Sequence, residues 1–295
     1  MKNTKPKVRL WSVLTGLTAI LTVAAIVGNI IANQYATTLN VALNASTYKI
    51  IKGETTGDTE YFKKGFASDE EREAYEAELC ATVEAEGAAL LKNENNALPL
   101  ASGAKVSLFG HGSVDLMYGG TGSGSVDTSK APSLKDALEA QGITINQTLW
   151  DLYKSDSMMS KYSRMTPASI SDTLEANTQY AVNEAPWSAL SSAESSFAEY
   201  GDAAIVVLSR SGGEGADLPS GANGTNDSWI SGQEGDGNYL ALSAEEIELL
   251  QNLKALKDNG TFKNIIVLIN SSNAIELDFL NPEICGEDYG IDAAM

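Results

Sequence analysis

Three observations predict the fold class: an α/β sandwich, with a mainly parallel sheet, helices on both faces and one transmembrane helix ahead of it. Short apolar runs, at 105–109, 143–145, 203–209 and 265–269, have the length and β-branched content of strands buried on both faces. They alternate with stretches of helical period that open on capping residues, Ser133 and Ser243. Residues 10–32 are apolar almost without interruption. Strands that alternate with helices are joined by crossovers, which makes the sheet parallel and places ligands beyond its carboxyl ends.

Each element has its own justification. Lys2, Lys5, Lys7 and Arg9 form a basic flank over residues 1–9, and 10–32 is long enough to cross a bilayer. A cleavable signal has an apolar core of only about 7 to 15 residues, so the segment reads as an uncleaved anchor in the cell membrane. No basic residue follows until Lys49, so the bulk of the chain belongs outside the cell. Residues 33–67 are polar, carry no apolar stripe and read as a stalk. From Ser68 a capping box, Ser68-Asp69-Glu70-Glu71, starts a helix with Tyr75, Leu79, Val83 and Leu90 on one face, running to about Leu91. Residues 68–295 read as one domain. Strand 105–109 leads into the Gly-rich loops at 110–112 and 119–125. Ser133 caps a helix that turns Leu134, Ala137 and Leu138 inward and stops at Gly142. One helix near Trp150 is followed by a Ser/Met/Ala-rich stretch to Tyr200 that reads as a surface insertion. Ser243 caps the last long helix, with Ile247, Leu250, Leu253 and Leu256 inward and Asn259-Gly260 as its stop.

Composition excludes some functions. With 295 residues, 43% of them hydrophobic, the chain can bury a sizeable core. A net charge of -19 excludes nucleic acid as a partner, because phosphate binding needs clustered Lys and Arg. Cys80 and Cys285 are too few for a disulfide framework. No cofactor or metal is implied. Gly120-x-Gly122-x-Gly124 lacks dinucleotide spacing, and Asp227, Glu234, Asp236 and Asn238 miss the calcium-loop pattern and read as a solvated acidic loop. His111, the sole histidine, sits in a Gly-His-Gly turn with nothing to make it a general base.

The run Ala203–Ser209 stops abruptly in Arg210-Ser211-Gly212-Gly213-Glu214-Gly215-Ala216-Asp217. Glycines around Glu214 let the backbone present its carboxylate at the end of a buried strand, an arrangement suited to a general acid. Upstream lies Glu86-Gly87-Ala88-Ala89-Leu90-Leu91-Lys92-Asn93. Together the two segments resemble glycoside hydrolase family 3, over residues 68–295. The resemblance implies cleavage of β-linked glucosides or oligosaccharides with retention, with Glu214 as acid/base. It implies a sugar-site border at Gly122, Ser123 and Gly124, with Arg210 and Asp217 beside Glu214 or paired with each other. Where some relatives carry a basic residue after the aspartate, this chain has Leu218-Pro219.

In that family the nucleophilic aspartate stands on a separate (β/α)8 barrel, and no barrel repeats are found between residues 1 and 295. The domain reads as incomplete at its C-terminal end, with the barrel expected beyond Met295 and the chain alone catalytically silent. The alternative is a non-catalytic cell-surface carbohydrate-binding or adhesion module.

The basic flank and apolar length give the first expectation. The full-length chain should fractionate with membranes and keep its N-terminus, with residues 33–295 cleaved by protease added outside. A soluble chain, or one processed between about residues 30 and 40, would mark the segment as a secretion signal.

Overall fold

The structure is a computed structural model that describes residues 5–43, 45, 65–166, 180–214, 218 and 239–295. The chain packs as two units, Met1–Tyr75 and Glu76–Met295. In the first, α1 (Lys5–Gln34) contains a 25-residue segment, Leu10–Gln34, of mean hydropathy 2.1, long and apolar enough to cross a membrane. A short helix, α2 (Ala36–Ala42), occupies part of the stretch read as stalk. The helix α3 (Asp69–Gly87) starts where its cap predicts: the Glu71 N–H donates to Ser68 Oγ and the Ala67 N–H to Glu71 Oε2. It ends four residues short of Leu91. The cause is competition from the sheet, since the Leu91 N–H donates to the Ala294 carbonyl and Lys92–Asn93 is drawn into an edge strand.

In the second unit six strands order as β1-β6-β5-β4-β2-β3, from β1 (Lys92–Asn93), β2 (Lys105–Phe109), β3 (Thr144–Ile145), β4 (Ala203–Arg210), β5 (Ile265–Ser271) and β6 (Ala293–Ala294). All pairs are parallel except β1 with β6. All eight residues of β4 are buried, as befits a central strand covered by helices on both sides. Asp202, just ahead of β4, ties the amino ends together: Lys105 N–H donates to its Oδ2 at 2.8 Å and Lys263 Nζ to its Oδ1 at 2.5 Å. Those bonds, the backbone one foremost, hold its carboxyl below the usual range.

The helices follow their caps. Ser133 and Asp136 form a capping box on α4 (Leu134–Ala140), while Leu134 and Leu138 are half-buried and Ala137 is exposed, contrary to the expected inward face. Asn146 caps α5 (Gln147–Lys154), and α6 (Asp156–Lys161) follows. Ser243 and Glu246 box the start of α7 (Ala244–Asp258), which buries Leu249, Leu250 and Leu253 and half-buries Ile247 and Leu256.

The stretch 149–200 is not a surface insertion, for its described parts build the core. Leu190 and Phe197 are buried on two 3-10 segments, Trp187–Leu190 and Glu194–Tyr200, and Ala193 is buried in the turn between them. Phe197 and Phe262 pack edge-on to Phe109, with centroids 5.2 and 5.7 Å away, and Trp187 stacks on it at 6.4 Å. Residues 167–179 lie outside the described residues. Phe109 is fully buried at the centre of this cluster, so Phe109→Ala should cost about 3–5 kcal/mol, read from urea unfolding followed by Trp fluorescence.

Candidate active site

Beyond the carboxyl ends of β2, β4 and β5, two loops cross. The chain leaving β4 runs Ser211-Gly212-Gly213-Glu214, and Gly213 forms an isolated parallel bridge with Thr121 of the glycine-rich loop. The approach is so close that a Cβ on Gly213 would collide with the Thr121 backbone nitrogen, and one on Gly122 would lie 2.6 Å from Glu214 Cβ. Gly122 also has φ +67, a left-handed conformation that glycine adopts without strain. Only glycines at these two positions let the loops meet.

The meeting places Ser123 against Glu214. In the single 3-10 turn Gly122–Gly124, the Ser123 N–H donates to Glu214 Oε2 at 2.9 Å and its hydroxyl donates to the same oxygen at 2.5 Å. Those bonds, the hydroxyl's above all, hold the exposed Glu214 carboxyl below its ordinary value, because they favour the charged form. The Thr121 hydroxyl donates to the Glu214 carbonyl at 3.0 Å and shares a hydrogen bond of 2.7 Å with Tyr180 Oη. Beside this corner runs a cleft of about 530 Å³ walled by residues such as Thr121, Gly122, Ser211 and Arg164. The Arg164 guanidinium pairs with Asp115 at 2.9 Å.

The expected site residues divide. Glu214, Gly122 and Ser123 come together, while a Cβ on Gly124 would meet only open space. Arg210 does not reach this corner. It is fully buried, donating to the Ser209, Tyr239 and Ala241 carbonyls and forking onto both carboxylate oxygens of Glu246 at 2.8 and 2.7 Å. Burial pulls its pKa down, but the Glu246 charge and bonds outweigh that and leave it raised. A strand-end arginine is thus a structural cation, because an unpaired guanidinium there is too costly to bury. Asp217 lies outside the described residues, as do Asp227, Glu234, Asp236 and Asn238.

His111 is held in its turn by Glu184, whose Oε2 accepts from both His111 N and Nδ1 at 2.9 Å, which assigns the ring proton to Nδ1. The pair is buried and contributes no exposed base. Cys80 and Cys285 are both free thiols. Sequence reasoning missed Tyr180 and Tyr239 as neighbours of the site, since neither lies in a local motif.

Residues 88–286 match the family described as "Glycosyl hydrolase family 3 C-terminal domain". A β-glucosidase A from Butyrivibrio fibrisolvens is 34% identical over 146 residues, 48% of this chain and 15% of that protein. A β-glucosidase of Paenibacillus barengoltzii has 25% identity and a TM-score of 0.54, over 74% of this chain and 20% of its own. β-Glucosidase 3B of Thermotoga neapolitana, solved with glucose, shares the fold at 23% identity and a TM-score of 0.52, over 76% and 27%. The chain therefore spans between about a seventh and a quarter of these relatives' lengths.

Ser123→Ala should raise the Glu214 carboxyl toward the ordinary glutamate value, the part of the lowering held by the Ser123 N–H remaining, read as a ¹³C titration of its Cδ. The sign follows from the lowered folded pKa. The Ser123 bonds contribute stability above the ordinary glutamate pKa, and that contribution fades as pH falls through the lower folded value.

Proposed function

Because the chain belongs to glycosyl hydrolase family 3, as its C-terminal domain, we propose that it supplies the acid/base and one wall of the sugar site to a retaining β-glucosidase. One observation carries the proposal: an exposed glutamate at the mouth of the sheet, pinned to the glycine-rich loop by Ser123. Glycoside hydrolysis with retention needs two carboxyl groups about 5 to 5.5 Å apart, and Glu214 is one of them. The nucleophile stands on a facing barrel.

In the first step, protonated Glu214 gives its proton to the glycosidic oxygen as the bond from that oxygen to C1 breaks, while the nucleophilic carboxylate bonds to C1. In the second, Glu214, now a carboxylate, takes a proton from water. The water oxygen attacks C1 and releases the nucleophile. The two steps ask for opposite protonation states. Ser123 serves the second by favouring the anion. The first needs the facing domain to bury Glu214 and weaken the Ser123 bonds, which raises the carboxyl's pKa toward that of a working acid. Substrates are β-linked glucosides, with Ser123 and the backbone of Gly122 and Gly124 along the sugar's edge. The N-terminal helix holds the domain on the outer surface of the membrane, joined to it by residues 33–67.

In a fusion of this chain to a nucleophile-bearing barrel, Glu214→Ala should slow cleavage of alkyl glucosides by roughly 10²- to 10⁴-fold, and of nitrophenyl glucosides far less, because a good leaving group hardly needs a proton. Azide should restore turnover of the nitrophenyl substrate by attacking the glycosyl-enzyme without base assistance. Equal losses on both substrates without azide rescue would make Glu214 a structural loop residue and favour the binding-module reading.

A further inference from the structure

Two consecutive residues between β4 and Glu214 each have both backbone polar groups, N–H and carbonyl, held by one hydroxyl. Tyr239 Oη accepts from the Ser211 N–H at 2.9 Å and donates to the Ser211 carbonyl at 3.0 Å. Ser272 Oγ accepts from the Gly212 N–H and donates to the Gly212 carbonyl, both at 2.9 Å. The hydroxyls come from different parts of the chain. Ser272 follows β5, and Tyr239 stands where the chain returns before α7. A hydroxyl has one proton to give and lone pairs to accept with, so each can hold the N–H and the carbonyl at once.

Tyr239 is itself fixed. It is fully buried, its carbonyl accepts from Arg210 Nε at 2.8 Å, and that guanidinium is locked by Glu246 at the start of α7. Its ring packs 6.1 Å from Tyr180, whose hydroxyl meets Thr121. Burial pushes the Tyr239 hydroxyl up to about 12, so it stays a donor through the physiological range. Next along the chain, Gly213 sits on Thr121 and Glu214 on Ser123. From the β4 side, Glu214 is reached through Ser211 and Gly212.

We propose that Tyr239 and Ser272 are positioning residues for Glu214, their hydroxyls clamping Ser211 and Gly212 so that the carboxylate meets Ser123 in one geometry. The functional weight of this clamp rests on Glu214 being the acid/base, but its existence does not. Arg210 and Glu246 act one step further back, by holding Tyr239. A buried ion pair is seldom worth more than an apolar pair of its size, so its use here is to fix a position.

The test is the Cδ titration of Glu214 in the full chain in detergent micelles, with core methyl resonances as the check on folding. Tyr239→Phe and Ser272→Ala should each move the Glu214 midpoint up toward the ordinary glutamate value, as Ser123→Ala does, with the core resonances unchanged. Ser272→Thr, which keeps a hydroxyl, should leave the midpoint low. An unmoved midpoint in both hydroxyl-deleting variants would overturn the proposal, and so would a shift accompanied by collapse of the core spectrum. A shift in only one of them would overturn the paired clamp. No turnover is needed, so a flat leaving-group comparison in Glu214→Ala would sink the acid/base reading while leaving the titration result intact.

Discussion

A full positive charge at the end of the most buried strand is the constraint around which the carboxyl end of the sheet is organised. Arg210 closes β4 with no exposure to water, and such a charge persists in the interior only when each of its donors is met. Meeting them recruits Glu246 from the first turn of α7 and the carbonyls of Tyr239 and Ala241 from the segment before it. Strand, helix start and returning loop are thus tied at one point. Glu246 has a second duty, since its Oε2 also accepts from the Ser243 N–H at 2.8 Å, so the capping box and the ion pair share one carboxylate.

Much of the fold was legible because it is locally encoded. Apolar runs without alternation marked β2, β4 and β5, and Ser133 and Ser243 announced the helices they cap. Where local signals competed with distant partners, the reading went astray. The end of α3 depends on Ala294, some two hundred residues away, and the core role of Leu190 and Phe197 was hidden by the serines and alanines between them. Helical spacing at 190, 193 and 197 was the available clue.

The site divides in the same way. Gly213-Glu214 and Gly122-Ser123 are visible in sequence because glycines crowd both loops, and the contact between them needs those glycines. Arg210 was misread because an arginine at a strand end ordinarily faces solvent, and its partner Glu246 is 36 positions on. Tyr239 and Ser272 gave no signal: a hydroxyl that holds a backbone 28 or 60 residues distant looks like any other in the chain.

The antiparallel edge has a consequence for how the domain is born. Among the described residues the first strand of the sheet, Lys92–Asn93, pairs only with Ala293–Ala294, so its register is settled by residues synthesised about two hundred positions later. Until then Leu90 and Leu91 emerge with an unpaired backbone, and closing so long a loop is entropically dearer than any step inside β2–β4–β5. The β1 seam is therefore the longest-range pairing in the sheet. That seam is where a nascent chain is most exposed to pairing with the wrong neighbour.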